Sequence, residues 1–176
     1  MDHADHVFLL RGGVAPPGGV WADLGSGAGA FALALADLLG PHGVIYSVDQ
    51  DTNALRQQQE AMARRFPDLT AHYITGDFTR PLALPPLDGI VIANAIHFVA
   101  RAQQEDVVRR LRGYLRPGGR MIVVEYDVDQ GNRWVPYPLS IASWEELAQR
   151  AGFGVTHHLA SVPSGFLRAI YAAVSW

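Results

Sequence analysis

A short apolar run, Val20-Trp21-Ala22, ends in Asp23 and passes into Gly25-Ser26-Gly27-Ala28-Gly29, after which Ala30-Phe31 opens a helical pattern. Glycines at such a turn let the backbone approach a ligand and adopt φ values that a Cβ forbids. The N–H groups at the start of the following helix can then hold an anionic group. Asp23, two residues before the first glycine, faces something cationic, so this one segment asks for a ligand carrying both signs of charge. Two further acids end strand-like runs: Asp49 after Ile45-Tyr46-Ser47-Val48 and Asp77 after Tyr73-Ile74-Thr75-Gly76. Asn94 follows a fourth run, Gly89–Ala93.

The glycines fit two cofactor classes. Gly25-x-Gly27-x-x-Ala30, with Asp49 20 residues beyond Gly29 in the place of a ribose-binding acid, satisfies the dinucleotide fingerprint. Read as Asp23-x-Gly25-x-Gly27-x-Gly29, the same residues resemble the first motif of the class I methyltransferases, which use S-adenosylmethionine. A tight strand-to-helix turn without a ligand is the third reading. The chain holds no cysteine, which removes disulfides, thiolate metal sites, iron–sulfur clusters and cysteine nucleophiles together. Its 14 basic residues are all arginine, so Schiff-base chemistry, a Walker lysine and a dehydrogenase lysine are excluded as well. That counts against the dinucleotide reading.

The elements that must position these residues follow from the pattern of runs and breaks. At 176 residues the chain is expected to be one domain, residues 1–176, with a short helix or lid over residues 1–14. Strand-like segments (Gly19–Leu24, Val44–Val48, Thr70–Thr75, Gly89–Ala93, Met121–Tyr126) alternate with helix-like ones, which argues for a parallel sheet covered on both faces. Gly29–Leu39 reads as the first helix, and Asp51 or Thr52 caps the second. Pro81, Pro85 and Pro86 leave a short crossover helix or none after the third strand. Gln103–Leu115 reads as a helix closed by Arg116-Pro117-Gly118-Gly119, and Ser143 with Glu146 forms a capping-box pattern. Val155–Ser161 and Phe166–Val174 read as a final hairpin around Val162-Pro163-Ser164-Gly165.

With these motifs in order, the chain from about Val20 onward resembles a minimal class I methyltransferase of the small-molecule type. The resemblance rests on the glycine turn, on Ile45–Asp49 and Tyr73–Phe78, on Leu115-Arg116-Pro117-Gly118-Gly119-Arg120 before a strand, and on Glu145-Glu146-Leu147 with Ala151-Gly152-Phe153. It implies an α/β fold: a three-layer doubly wound sheet of seven strands in the order 3-2-1-4-5-7-6, with strand 7 antiparallel. It also implies S-adenosylmethionine as cofactor. Asp23 then meets the ammonium of the methionine part, and Gly25, Ser26, Gly27 and Gly29 form the cradle. Asp49 takes the ribose hydroxyls, Gln50 packs on the adenine, and Asp77 with the Phe78 N–H reads the adenine edge. Asn94 and Ala95 line the sulfonium side. Singly, Asp49 and Asp77 read equally well as turn acids at strand ends.

Catalytic residues are harder to name. His97, past the fourth strand, reads as a packed structural histidine ahead of a general base. Asn94-Ala95-Ile96-His97 lacks the Pro-Pro-aromatic sequence of enzymes that methylate nucleic-acid bases. Arg109, Arg110 and Arg112, with Glu105 and Asp106 nearby, read as a solvated helix face, and a net charge of −3 adds no general attraction to nucleic acid. His3 and His6, interleaved with Asp2 and Asp5, have no third ligand in sequence reach, so no metal is expected. The acceptor is expected to be a small molecule. Asp127–Leu139, with Arg133, Trp134 and Tyr137, reads either as a substrate-side loop or as plain surface, and an exposed apolar face around Trp134, Val135 and Tyr137 would favour a binding-only role.

No apolar run approaches the roughly 18 residues of a membrane span, and Met1–His6 lacks a basic leader, so a cytoplasmic location is expected. The competing functions are a non-catalytic S-adenosylmethionine sensor or partner subunit and, third, an NAD(P)-dependent oxidoreductase. Oligomeric state stays open, a homodimer being one option.

Overall fold

The computed structural model describes residues 1–176. Seven strands form one sheet in the order β3-β2-β1-β4-β5-β7-β6: β1 (Gly19–Leu24), β2 (Gly43–Asp49), β3 (Thr70–Thr75), β4 (Leu87–Ala93), β5 (Leu115–Tyr126), β6 (Thr156–Pro163) and β7 (Ala169–Ser175). The ladders from β3 through β5 are parallel, whereas β7 runs antiparallel to both β5 and β6. Strand order reverses between β1 and β4, which opens a crevice beyond the carboxyl ends of the strands. β4 is apolar and β-branched because it lies mid-sheet with both faces covered, and residues from Gly89 to Ala93 are buried.

Helices α1 (His3–Arg11), α2 (Ala30–Leu39) and α3 (Thr52–Arg65) cover one face, where Trp21, Ile45, Val91 and Ile122 point. Helices α4 (Arg101–Arg112) and α5 (Ile141–Arg150) cover the other, over Ala22, Val48, Ile90 and Val123. The Ala- and Leu-rich α2 is apolar nearly all round because it is wedged between the sheet and α1, which packs on α2 and on β6. No helix follows β3. Residues 76–86 cross as a Pro-broken loop whose Leu82 N–H donates to the Tyr114 hydroxyl at 2.8 Å. No helix is long and apolar enough to cross a membrane.

Several boundaries differ from the sequence reading, β6 for instance running on through Pro163, and four of the differences have a local reason. α4 stops at Arg112, where the Gly113 N–H closes on the Arg110 carbonyl and the Tyr114 N–H on the Leu111 carbonyl. Leu115 already pairs with Leu87, so Arg116–Gly119 is an irregular excursion within β5 rather than a helix stop. The cap of α5 is Ser140, whose hydroxyl accepts the Ser143 N–H at 3.2 Å; Ser143 lies inside the helix. β7 starts at Ala169, leaving Phe166 in a wider hairpin turn that carries Arg168 at φ 31°.

The expected N-terminal helix is present, but it packs sideways. Asp2 and Asp5 serve as its capping box, His3 Nε2 lies 3.1 Å from Asp37 Oδ2, and His6 packs on Phe31. It contributes nothing to the cavity lining described next.

Candidate functional site

The glycine turn between β1 and α2 is built by backbone geometry. The Gly25 and Ser26 N–H groups both donate to the Val48 carbonyl, and the Gly29 N–H donates to the Ser26 carbonyl. Gly25 sits at φ 74°, and a Cβ added there would lie 2.6 Å from the Ala95 Cβ, so the turn meets the segment after β4 with no room for a side chain. Gly29 is the N-cap of α2 and has no side-chain cap, which leaves first-turn N–H groups of α2 available.

Asp49, at the end of β2, has both oxygens fixed: Oδ2 accepts the Gly27 N–H and Oδ1 the Asp51 N–H, each at 2.8 Å. Its carboxylate is therefore aimed before any ligand arrives, with lone pairs to spare. Asp77 Oδ1 accepts the N–H and hydroxyl of Thr79, at 2.8 and 2.7 Å. Asn94 stands at φ 51° with its N–H on the Val124 carbonyl at 2.8 Å, a left-handed conformation that asparagine tolerates.

Gly25, Asp49, Gln50, Gly76, Phe78, Asn94, Ala95 and Phe98 line one cavity of about 270 Å³ at the carboxyl ends of the strands. Asp23, Ser26, Gly27 and Gly29 belong to the adjoining turn rather than to this lining, and so does Asp77 to its own Thr79 turn. Cavities of about 280 and 400 Å³ open around Pro117–Gly119 at the opposite ends of the strands. The unpaired buried polar groups gather beside the first. Of the buried side-chain oxygens that lack any partner, Asp23 Oδ2, Ser26 Oγ and Asn94 Oδ1 all belong to the glycine turn and the two strand ends beside it, and the fourth, Gln58 Oε1, lies beneath that turn. Unpaired buried acceptors are costly and rare, and their convergence marks a place for a donor. Burial, and secondly the charge of Asp49, push Asp23 up to about 7, partly opposed by the Ala32 N–H.

His97 lies on the short 3-10 turn Ile96–Phe98 and is 3% exposed. Its Nδ1 is 2.8 and 3.0 Å from the two carboxylate oxygens of Glu125, which is fully buried at the end of β5 and also accepts the Tyr126 N–H. A carboxylate at this distance makes Nδ1 the donor and leaves Nε2, which has no hydrogen bond within the chain, as the basic nitrogen. The rings of Phe98, His97, Tyr126 and Phe166 follow one another at centroid distances of 4.3, 6.1 and 6.0 Å.

The 127–139 loop is latched beside this row, with the Tyr137 N–H on the His97 carbonyl and the buried Gln104 amide donating to the Tyr137 and Ile96 carbonyls. Trp134 and Tyr137 are exposed, but Val135 is buried, so the three do not form one apolar face. Arg109 is neutralised by Glu105 and Asp106. Sequence reasoning did not single out Glu125, Gln104, Gln58 or Ser47. The usable signals were an acid closing the buried run Met121–Val124 and the spacing of Leu55, Gln58 and Met62, which puts a glutamine in an apolar stripe.

A seven-stranded sheet with β7 reversed and a glycine turn at its crevice defines the methyltransferase class of α/β proteins. A family model described as methyltransferase domain matches residues 22–119, more than half of the chain, and the chain belongs to that family. It is 34% identical over 114 residues to acetylserotonin O-methyltransferase of Mus musculus, a match spanning 64% of this chain and 29% of the mouse protein. The likeness to solved structures is one of fold. YcgJ of Bacillus subtilis superposes with a TM-score of 0.78 at 14% identity over 98% of both chains. The 1,6-didemethyltoxoflavin-N1-methyltransferase of Burkholderia thailandensis superposes with 0.75 at 16% identity, over 99% of this chain and 77% of that one.

Proposed function

We propose that the chain binds S-adenosylmethionine and transfers its methyl group to an oxygen or nitrogen of a small-molecule acceptor. The observation that carries this reading is the convergence of buried acceptors without donors on a glycine turn that leaves no room for a side chain at Gly25 or Gly29. The cofactor's ammonium offers the donors that Asp23, Ser26 and Asn94 lack, and its carboxylate suits the N–H groups opening α2. Asp49 accepts the ribose hydroxyls, Gln50 and Phe78 flank the adenine, and Asp77 faces the adenine edge with the oxygen left over from its Thr79 turn. The cofactor supplies a methyl group on a sulfonium, already an excellent leaving group. The chain's own task is then to align the acceptor, exclude water and take one proton.

His97 is assigned that proton. Glu125 fixes Nδ1 while Nε2 makes no hydrogen bond within the chain, an arrangement that leaves one nitrogen free to take a proton as a general base does. Tyr126 does not compete for the role, since burial and then the Glu125 charge raise its pKa above the ordinary phenol value. The ring row beside His97 supports a small organic acceptor, as do the small-molecule substrates in the names of the mouse and Burkholderia relatives.

Titration calorimetry with S-adenosylhomocysteine tests the cofactor assignment. Asp49→Ala is expected to weaken binding roughly tenfold to a hundredfold, the worth of one or two charge-assisted hydrogen bonds. Asp51→Ala, which removes only the cap of α3, is expected to lower stability by about 1 kcal/mol and leave affinity alone. Equal affinities in the two variants would refute the ribose assignment.

A further inference from the structure

Helix α3 is polar along most of its length, and its inward stripe is Leu55, Gln58 and Met62. Gln58 holds a place where packing alone calls for an apolar side chain, and it is fully buried there. Its stem lies directly under the glycine turn: a Cβ on Gly29 would meet Gln58 Cδ at 2.9 Å and Cβ at 3.0 Å. Its Nε2 donates a short hydrogen bond to the hydroxyl of Ser47, which is itself fully buried.

Ser47 is the register partner of Asp23 across the β1–β2 ladder and stands two residues before Asp49, so all three side chains leave the sheet on the same face. One glutamine thus touches both halves of the cradle, the turn that carries the helix-start N–H groups and the strand that delivers the ribose acid. Burying its amide with Oε1 unpartnered costs stability that an apolar residue would not.

We propose that Gln58 is a positioning residue for the cofactor cradle, holding Gly29 and Ser47 from beneath without touching the ligand; this rests on reading the cradle as the S-adenosylmethionine site. The hydrogen bond to Ser47 sets the spacing between α3 and β2, and the stem sets the height of Gly29 over the sheet. Both fix the cradle before the ligand arrives, which lowers the cost of binding. The amide therefore contributes to affinity and not to stability.

That separation makes the proposal testable. In Gln58→Met the stem is retained and the amide lost, so the Ser47 bond disappears along with the unpaired Oε1. Affinity for S-adenosylhomocysteine is expected to fall about tenfold, the scale of one buried hydrogen bond, while the thermal midpoint of the free protein holds, because the loss of the unpaired Oε1 offsets the Ser47 hydroxyl left without its partner. Ser47→Ala, which leaves the packing of Gln58 on Gly29 untouched, is expected to weaken binding equally, and the double variant no further than either single one. Should Gln58→Met fail to fold, Ser47→Ala decides alone. A lowered midpoint with affinity within twofold of the parent makes Gln58 merely structural and overturns the proposal. Failure of the parent chain to bind S-adenosylhomocysteine overturns the cofactor reading itself, a distinct result.

Discussion

The two halves of the sheet's carboxyl edge are built on different plans. On the side of β1, β2 and β3 the site is built largely of main chain, with a glycine turn, N–H groups and two acids held by local donors, Asp49 through both oxygens and Asp77 through Oδ1. On the side of β4, β5 and the last hairpin it is made of side chains from distant segments. His97 is paired with Glu125 28 residues away, and aromatic rings stand 64% exposed at Phe98 and 51% at Phe166. The first half is closed and short of donors; the second is open and rich in rings. A ligand of fixed structure can be held by backbone that tolerates no variation, whereas an acceptor is recognised by side chains that vary without disturbing the fold.

The largest expected effect tests the closed half. In Gly25→Val the new side chain is driven toward the Ala95 Cβ at a φ of 74° that a β-branched residue resists, and binding of S-adenosylhomocysteine is expected to fall beyond calorimetric detection, more than about a hundredfold. Gly27→Ala meets nothing within 4 Å, so it carries backbone strain alone and is expected to lose far less. Similar losses in both would mean that conformation, and not close approach to the post-β4 segment, governs the cradle.

This difference in plan also decides what could be read from the sequence. The placement of Asp23, the glycines, Asp49 and Asp77 at strand ends and in the turn was legible because a strand-end acid and a glycine turn declare themselves within a few residues. The alternation of runs gave a parallel sheet with a reversed last strand, whereas the order of the strands came only with the resemblance to the class I methyltransferases, and the sheet has that order. Glu125 was not legible as a partner of His97, since the two meet only after β4 and β5 pair in register. Gln58 and Gln104 look like surface residues on polar helices, and only tertiary contact turns them inward. The stop of α4 was misplaced because Arg116-Pro117-Gly118-Gly119 has the composition of a helix end but serves as a bulge in a strand already begun.

Next in size is the effect in the open half. His97→Gln is expected to leave affinity for S-adenosylhomocysteine within about twofold and to lower turnover on an accepted substrate by at least about 10², the lower range for general-base assistance. Glu125→Gln keeps a hydrogen-bonding group near Nδ1 but removes the carboxylate that fixes the tautomer, so it is expected to fall between parent and His97→Gln. In both variants the pH–rate limb that reports the base is expected to change. A loss of less than about tenfold in His97→Gln, with that limb intact, would return His97 to a packing role. A parallel loss of cofactor affinity would erase the division between the halves.

The smallest effect sharpens the comparison at its boundary, at Asp23. Burial and the Asp49 charge raise this carboxyl from 3.8 to about 7 in the folded chain. The folded state therefore keeps a proton that the unfolded state releases, and the stabilisation from the neutral acid is complete below about pH 4 and lost as pH rises through 7. Asp23→Asn never titrates, so its thermal midpoint relative to the parent is expected to climb from about pH 4 to about pH 7 and then level. An arriving ammonium reverses the preference and favours the carboxylate. At about pH 6 most of one proton should leave on binding S-adenosylhomocysteine, with little released at about pH 8 and none at either pH in the variant. Calorimetry in two buffers of different ionisation enthalpy counts that proton directly. A parent whose count is the same at both pH values would mean that Asp23 is already ionised when the ligand arrives, and that the closed half needs no discharge to receive a cation.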